Sequence, residues 1–205
     1  CCILQIEYII NQKYKVMNDT YKLTEGKTLT IETDDLCGSP RGGWDNLCKM
    51  IFIGECSHLG DKHNFHETYD SFEAHQEHIE KQLDVAFITP VYALVHGGMT
   101  ISTTPFSCPW DSGKLGWVVM TKQTLRENYG VKRITKKLIE QAMIHVECEV
   151  KTLDSYIRGE VYWFKIEDEN GDEVDSCGGF YGDIEENGIL EYLSEDDTKL
   201  ILEQI

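Results

Sequence analysis

The chain has 205 residues, 41% of them hydrophobic and 10% aromatic, which is enough for a well-buried core and too apolar for disorder throughout. No apolar run approaches the roughly 18–20 residues needed to cross a bilayer, so membrane spanning is excluded as an expectation. With 19 basic and 36 acidic residues the net charge is −17, a field that disfavours free nucleic acid, whose binding is driven by lysine and arginine releasing counterions.

The first methionine is Met17. Residues 1–16 lack the basic, apolar and small-residue order of a secretion signal. They read either as a flexible or upstream-translated extension or as a genuine first strand over 3–10. Residues 17–205 read as one acidic domain. Leu29 and Ile31 alternate with polar neighbours over 27–33, the pattern of a half-buried strand. The breakers at 38–43 make a loop, and 48–53 is a short apolar strand. A polar, histidine-rich loop follows through Phe65.

Phe72, Ile79 and Leu83 share one face of a predicted helix over 69–83. Residues 85–95 and 100–104 are strand-like on either side of Gly97-Gly98, which predicts a hairpin. Residues 115–121 read as a central strand. Thr121 is placed to cap a helix over 122–129 that Gly130 stops. Thr135 caps a longer helix with Leu138, Ala142 and Val146 as its buried stripe, Ile139 and Met143 alongside, and a further helical stretch covers 153–157. Residues 160–167 alternate, Asn170-Gly171 is the strongest hairpin signal in the chain, and 173–177 returns antiparallel. Residues 192–205 form a terminal acidic helix. Strands in runs with separate helices predict the α+β class: a single domain with a mainly antiparallel sheet, several helices and an acidic C-terminal helix.

The eight cysteines form no CxxC and no zinc spacing. Without a secretion signal the expected compartment is reducing, so they read as free thiols packed as small hydrophobes. From residue 167 to 205 there are fourteen acidic side chains against a single lysine, Lys199, so most of the net charge lies in that tail. Such a surface attracts a nucleic-acid-binding protein; the plainer reading is a solvated face that keeps the chain soluble.

Chemistry-bearing residues are sparse. His58, His63, His66, His75 and His78 cluster with Asp61 nearby, and Asp61, His63 and His66 are the candidate metal ligands of a hydrolase. No HExxH frame supports them, and surface histidines compete with that reading. Cys108 lies near His96 and Asp111, which allows a thiol nucleophile with a base, although its Phe, Pro and Trp neighbours read as loop packing. The glycine pairs at 97–98 and 178–179 lack any phosphate-loop frame. Lys132, Arg133, Lys136 and Lys137 form a compact basic patch that could hold single-stranded DNA locally or pair with the acidic tail of this or a second copy. No catalytic residue and no cofactor is expected.

Seven stretches in order, 39–41 (SPR), 44–47 (WDNL), 59–63 (LGDKH), 101–113 (ISTTPFSCPWDSG), 116–118 (GWV), 129–134 (YGVKRI) and 174–182 (VDSCGGFYG), span roughly 27–183. Together they resemble a family of small proteins from phages, plasmids and conjugative elements of gut Firmicutes, one that includes or resembles a type II anti-CRISPR protein. Two departures stand out. Residues 93–98 read ALVHGG where the family has a tyrosine-aspartate-histidine-serine-like stretch, and Gly178 stands where a tryptophan is expected.

The resemblance implies a non-enzymatic anti-defence protein that binds a host nuclease, a CRISPR effector with its guide RNA. The candidate contacts are the carboxylates of Asp168, Glu169, Asp172, Glu173, Asp175, Asp183, Glu185, Glu186, Glu195, Asp196 and Asp197. Trp110 and Tyr181 are the aromatic anchors, although Trp110 also reads as a core residue under its loop.

Overall fold

Antiparallel pairing organises every strand of the computed structural model, which describes residues 18–66 and 69–204. The extension at 1–16, with its alternative strand over 3–10, lies outside the described residues. In chain order the elements are β1 (Asn18–Lys22), β2 (Thr28–Thr33), β3 (Lys49–Phe52), α1 (Phe72–Gln82), β4 (Val85–Val95), β5 (Met99–Ser102), β6 (Ser112–Thr121), α2 (Lys122–Tyr129), α3 (Lys136–Ile157), β7 (Val161–Glu167), β8 (Glu173–Tyr181) and α4 (Glu195–Leu202). The α+β class is as the sequence predicts. The strands, however, form two four-stranded sheets, ordered β1-β2-β7-β8 and β3-β6-β4-β5. Correspondingly, the chain divides into two compact units. Unit 1 comprises Cys1–Ser39 and Ser155–Ile205, and unit 2 is Pro40–Asp154. No helix among the described residues is long and apolar enough to cross a membrane.

Unit 1 is built on the alternation of β2 and β7. Leu29 and Ile31 lie opposite Ile166 and Phe164, and all four are buried with Tyr21, Tyr162, Phe180, Ile184, Ile189 and Ile201 in one apolar cluster. Their neighbours Thr30, Glu32, Trp163 and Lys165 face the other way and are only half-buried. β1, which has no clear sequence pattern, contributes one buried side chain, Tyr21. Ser194 caps α4 by accepting from the Asp197 N–H, at 3.2 Å. A 3₁₀ turn over Ile189–Tyr192 precedes that cap, so the terminal helix is shorter than the sequence predicts.

In unit 2 the central strand β6 is buried from Leu115 to Met120, a continuous apolar run flanked by β3 and β4. Gly116 is required there: a Cβ at that position would lie 2.1 Å from the Ile51 carbonyl oxygen of β3. Trp117 is fully buried, stacks on Phe72 with ring centroids 4.0 Å apart, and donates to Gln76 Oε1 at 3.1 Å. α1 is thereby fastened to the sheet through one face, as its spacing predicts. Thr121 caps α2, and the Gly130 N–H closes it onto Arg126 and Glu127. α3 runs unbroken to Ile157, so the stretch at 153–157 is its last turns rather than a separate helix. Its stripe extends through Val150 and Leu153, all buried, whereas Met143 is 37% exposed and lies off it.

Candidate functional site

Charge separates sharply between the two units. By sequence, unit 1 has 21 acidic and 7 basic residues, a net of −14, and unit 2 has 15 acidic and 12 basic, a net of −3. The β7–β8 hairpin and the segments after it carry most of unit 1's carboxylates. Glu169, Asp172, Glu173, Asp175, Asp183, Glu185, Glu186, Glu195 and Asp196 are all exposed. Several of these engage their own neighbours weakly: Glu173 accepts from the Ser176 hydroxyl at 2.8 Å, and Asp196 lies 3.7 Å from Lys199. Exposed pairs of this kind contribute little to stability.

Three candidates in unit 1 have structural duties instead. Asp197 is only 6% exposed. Its carboxylate accepts the Thr24 backbone N–H and the Ser194 hydroxyl, each at 2.7 Å, and so ties α4 to the turn between β1 and β2. Burial alone would raise this carboxyl, but the hydrogen bonds outweigh burial and hold it below the ordinary aspartate value. Asp168 sits inside the hairpin turn, where its Oδ1 accepts the N–H groups of Asn170 and Asp172 at 2.8 and 3.0 Å. Those two backbone N–H groups hold its carboxyl below the usual range, that of Asp172 contributing most. Tyr181 donates its hydroxyl to the Gly38 carbonyl at 2.9 Å and lies 2.9 Å from Cys37 Sγ. Burial, then the thiol contact, pushes the phenol up. Asp197, expected as a partner contact, is buried and so is not presented at the surface, while Asp168 and Tyr181 are half-buried and hold the turn and the 34–38 segment.

Asp34, which the sequence does not single out, fastens the 34–38 segment to β8. Its Oδ2 accepts the Gly179 N–H at 3.0 Å, and a Cβ at Gly178 would come within 2.7 Å of that same oxygen. The glycine at 178 therefore leaves the room this bond uses. Beside it a cavity of about 410 Å³ is lined by Asp34, Asp35, Cys37 and Tyr156 among others.

In unit 2, Trp110 is 91% exposed. This decides between anchor and core residue in favour of an accessible ring. Asp111 Oδ2 lies 3.1 Å from His96 Nδ1 and 3.6 Å from Cys108 Sγ, so the thiol's contact is a carboxylate acceptor and not the base that would activate it. The metal alternative is also corrected. Asp61 is taken by Arg41 and by the Met50 N–H. His63 accepts the Phe65 N–H at Nδ1 and therefore donates from Nε2 to the Phe52 carbonyl at 2.7 Å, which uses both ring nitrogens. His66 stacks on the His63 ring, centroids 4.4 Å apart. No group of three or more ligating side chains converges among the described residues. Lys132, Arg133, Lys136 and Lys137 are exposed at the start of α3, with Lys136 within 3.8 Å of Glu140.

No family model, curated protein or solved structure matches the chain.

Reading residue by residue also missed a largely buried polar network around Arg41. The Arg41 side chain, 4% exposed, is paired with Asp61 and with Glu149. It also donates to Asn46 Oδ1 at 2.8 Å and to the Cys48 carbonyl at 2.7 Å. The Cys48 thiol donates to Glu149 at 3.0 Å, and burial above all pushes that thiol far up. Nothing local in the breaker-rich 38–43 stretch distinguishes Arg41 from a surface arginine. All the guanidinium donors are directed at internal acceptors, so this network ties residues 41–61 of unit 2 to α3.

Proposed function

We propose that the protein is an anti-defence factor of a phage or mobile element, acting in the host bacterial cytoplasm as an inhibitor of a CRISPR nuclease bound to its guide RNA. The carboxylates of unit 1 occupy lysine- and arginine-lined surfaces that otherwise hold nucleic-acid phosphates. The observation that carries this reading is the concentration of charge, net −14, in one unit whose hairpin and C-terminal carboxylates are exposed. Complementary fields steer and orient such a complex. Trp110, exposed on unit 2, serves as an aromatic anchor of the kind that dominates interfaces.

The test is a cleavage assay with a type II CRISPR nuclease, guide and target DNA, with and without the protein, beside a pull-down of the nuclease. Inhibition should weaken as salt rises, because the Debye length falls from roughly 10 Å at 0.1 M to 3 Å at 1 M. Replacing Glu169, Asp172, Glu173 and Asp175 together by lysine should lower inhibition at least tenfold. Undiminished cleavage and no capture across several nucleases would remove the proposal. Salt-sensitive binding to single-stranded DNA alone, lost on replacing Lys132, Arg133, Lys136 and Lys137, would put the basic patch in its place.

A further inference from the structure

β3 is an edge strand of the unit 2 sheet, and the 61–63 segment is laid along its open side. The Asp61 N–H donates to the Met50 carbonyl at 2.8 Å, the Met50 N–H donates to Asp61 Oδ2 at 2.7 Å, and His63 Nε2 donates to the Phe52 carbonyl at 2.7 Å. Lys49 and Ile51 are alternate residues of β3 and so share a face, the one on which Ile51 packs with Trp117, Val119 and Ile79 of α1. Half-buried Phe65 and Leu83 pack against that cluster. Beside it a cavity of about 500 Å³ is lined by β3, the 62–65 segment and the end of α1, a size that accepts a small organic ligand.

The polar lining is uncommitted apart from His63, both of whose ring nitrogens are used. Among the described residues, Lys49 and Lys62 have no carboxylate within 4.0 Å, and Asn64, His78 and Gln82 make no hydrogen bond. Elsewhere in unit 2 Lys81, Lys114 and Lys122 are each paired with a carboxylate. No aspartate or glutamate lines the cavity among the described residues, in a chain where acidic residues outnumber basic ones by 36 to 19. Its complement is therefore an anion.

The same cavity offers aromatic surface, since the half-buried rings of Phe65 and His78 meet edge to face with centroids 6.0 Å apart. The direction of a ligand follows from charge. α1 ends at Gln82, and the C-terminus of a helix disfavours an anion, whereas both lysines come from β3 and the 62–65 segment. The negative group thus goes to Lys49 and Lys62, and a flat ring goes to the α1 side.

We infer that this cavity binds a nucleoside monophosphate. Lys49 and Lys62 hold the phosphate as point charges, Phe65 and His78 pack on the base, and the Asn64 and Gln82 amides, which both donate and accept, meet its polar edge. The site belongs wholly to unit 2 and uses none of the carboxylates of unit 1.

The test is calorimetric titration of the full chain with adenosine 5′-monophosphate. One molecule should bind per chain. Adenosine, which lacks the phosphate, and inorganic phosphate, which lacks the ring, should each bind at least tenfold more weakly. Replacing Lys49 and Lys62 together by glutamine should weaken nucleotide binding at least tenfold and leave the unfolding midpoint unchanged, because both side chains are exposed. The same exchange at the exposed Lys132 and Lys137 removes equal charge elsewhere and should change affinity less than twofold. In proton NMR the His78 ring signals should move as the nucleotide saturates the chain. Failure of the nucleotide to bind, equal binding of adenosine, equal losses from the two lysine pairs, or unmoved His78 signals would each overturn the inference. Because no nuclease takes part, any of those results leaves the nuclease reading standing, and a protein that binds the nucleotide without inhibiting a nuclease would lose only that reading.

Discussion

Replacing Asp197 by alanine should destabilise the protein far more than replacing either acidic residue beside it. The Asp197 carboxylate is buried and accepts the Thr24 N–H and the Ser194 hydroxyl, each at 2.7 Å. Hydrogen bonds to a charged group contribute about 1.5–3 kcal/mol each, and two ending on one carboxylate are not fully additive. An expected loss of about 2–4 kcal/mol follows. Glu195 and Asp196 occupy the same first turn of α4 but are exposed, so their favourable interaction with the helix dipole is about 0.5 kcal/mol. Urea unfolding of the full chain at pH 7 measures all three variants.

Acidification supplies an independent check. The folded carboxyl lies below its ordinary value, near 3.9 in an unfolded chain. Its stabilisation is therefore complete above that unfolded value and is lost as pH falls through the folded one. The gap between wild type and Asp197→Ala should be widest above pH ~4 and narrow toward pH ~2. Equal stability of Asp197→Ala and wild type at pH 7, or a gap that widens in acid, would refute the assignment of this residue to structure.

Arg41→Met should cost about 3–5 kcal/mol by urea unfolding, because it strands two largely buried carboxylates, Asp61 and Glu149; a loss near zero would show that those groups are neutralised some other way. In the native protein at pH 8 a thiol reagent should modify the exposed Cys148 quickly and spare Cys48, whose thiol is buried and held protonated, until the chain is unfolded. Mass spectrometry of the labelled peptides reads this directly. Trp110→Ala should leave the unfolding midpoint unchanged, since its ring is 91% exposed, while lowering nuclease capture at least tenfold; a drop in stability instead would return Trp110 to a packing role.

Local signals were legible because their physics is local. Thr121 caps α2 with its own side chain, Gly130 closes α2 on its own carbonyls, and the alternation in β2 and β7 follows from a side-chain period of two. From these the α+β class and nearly every element can be read, along with the bias of charge toward the C-terminal third. β1 was not, since a five-residue strand with one buried side chain has no period to detect. Only the tertiary structure decided which strands share a sheet, because pairing β2 with β7 brings together residues separated by most of the chain. It also sorted the acidic candidates. Glu195, Asp196 and Asp197 are adjacent and alike in sequence, yet the third meets Thr24, 173 positions away, and is buried. Arg41 was passed over and Trp110 left open for the same reason: an arginine from a glycine-rich loop is enclosed by carboxylates at 61 and 149, while a tryptophan flanked by proline stands in solvent. Composition sets how much charge and apolar surface a chain carries, whereas burial depends on which distant groups arrive at the same place.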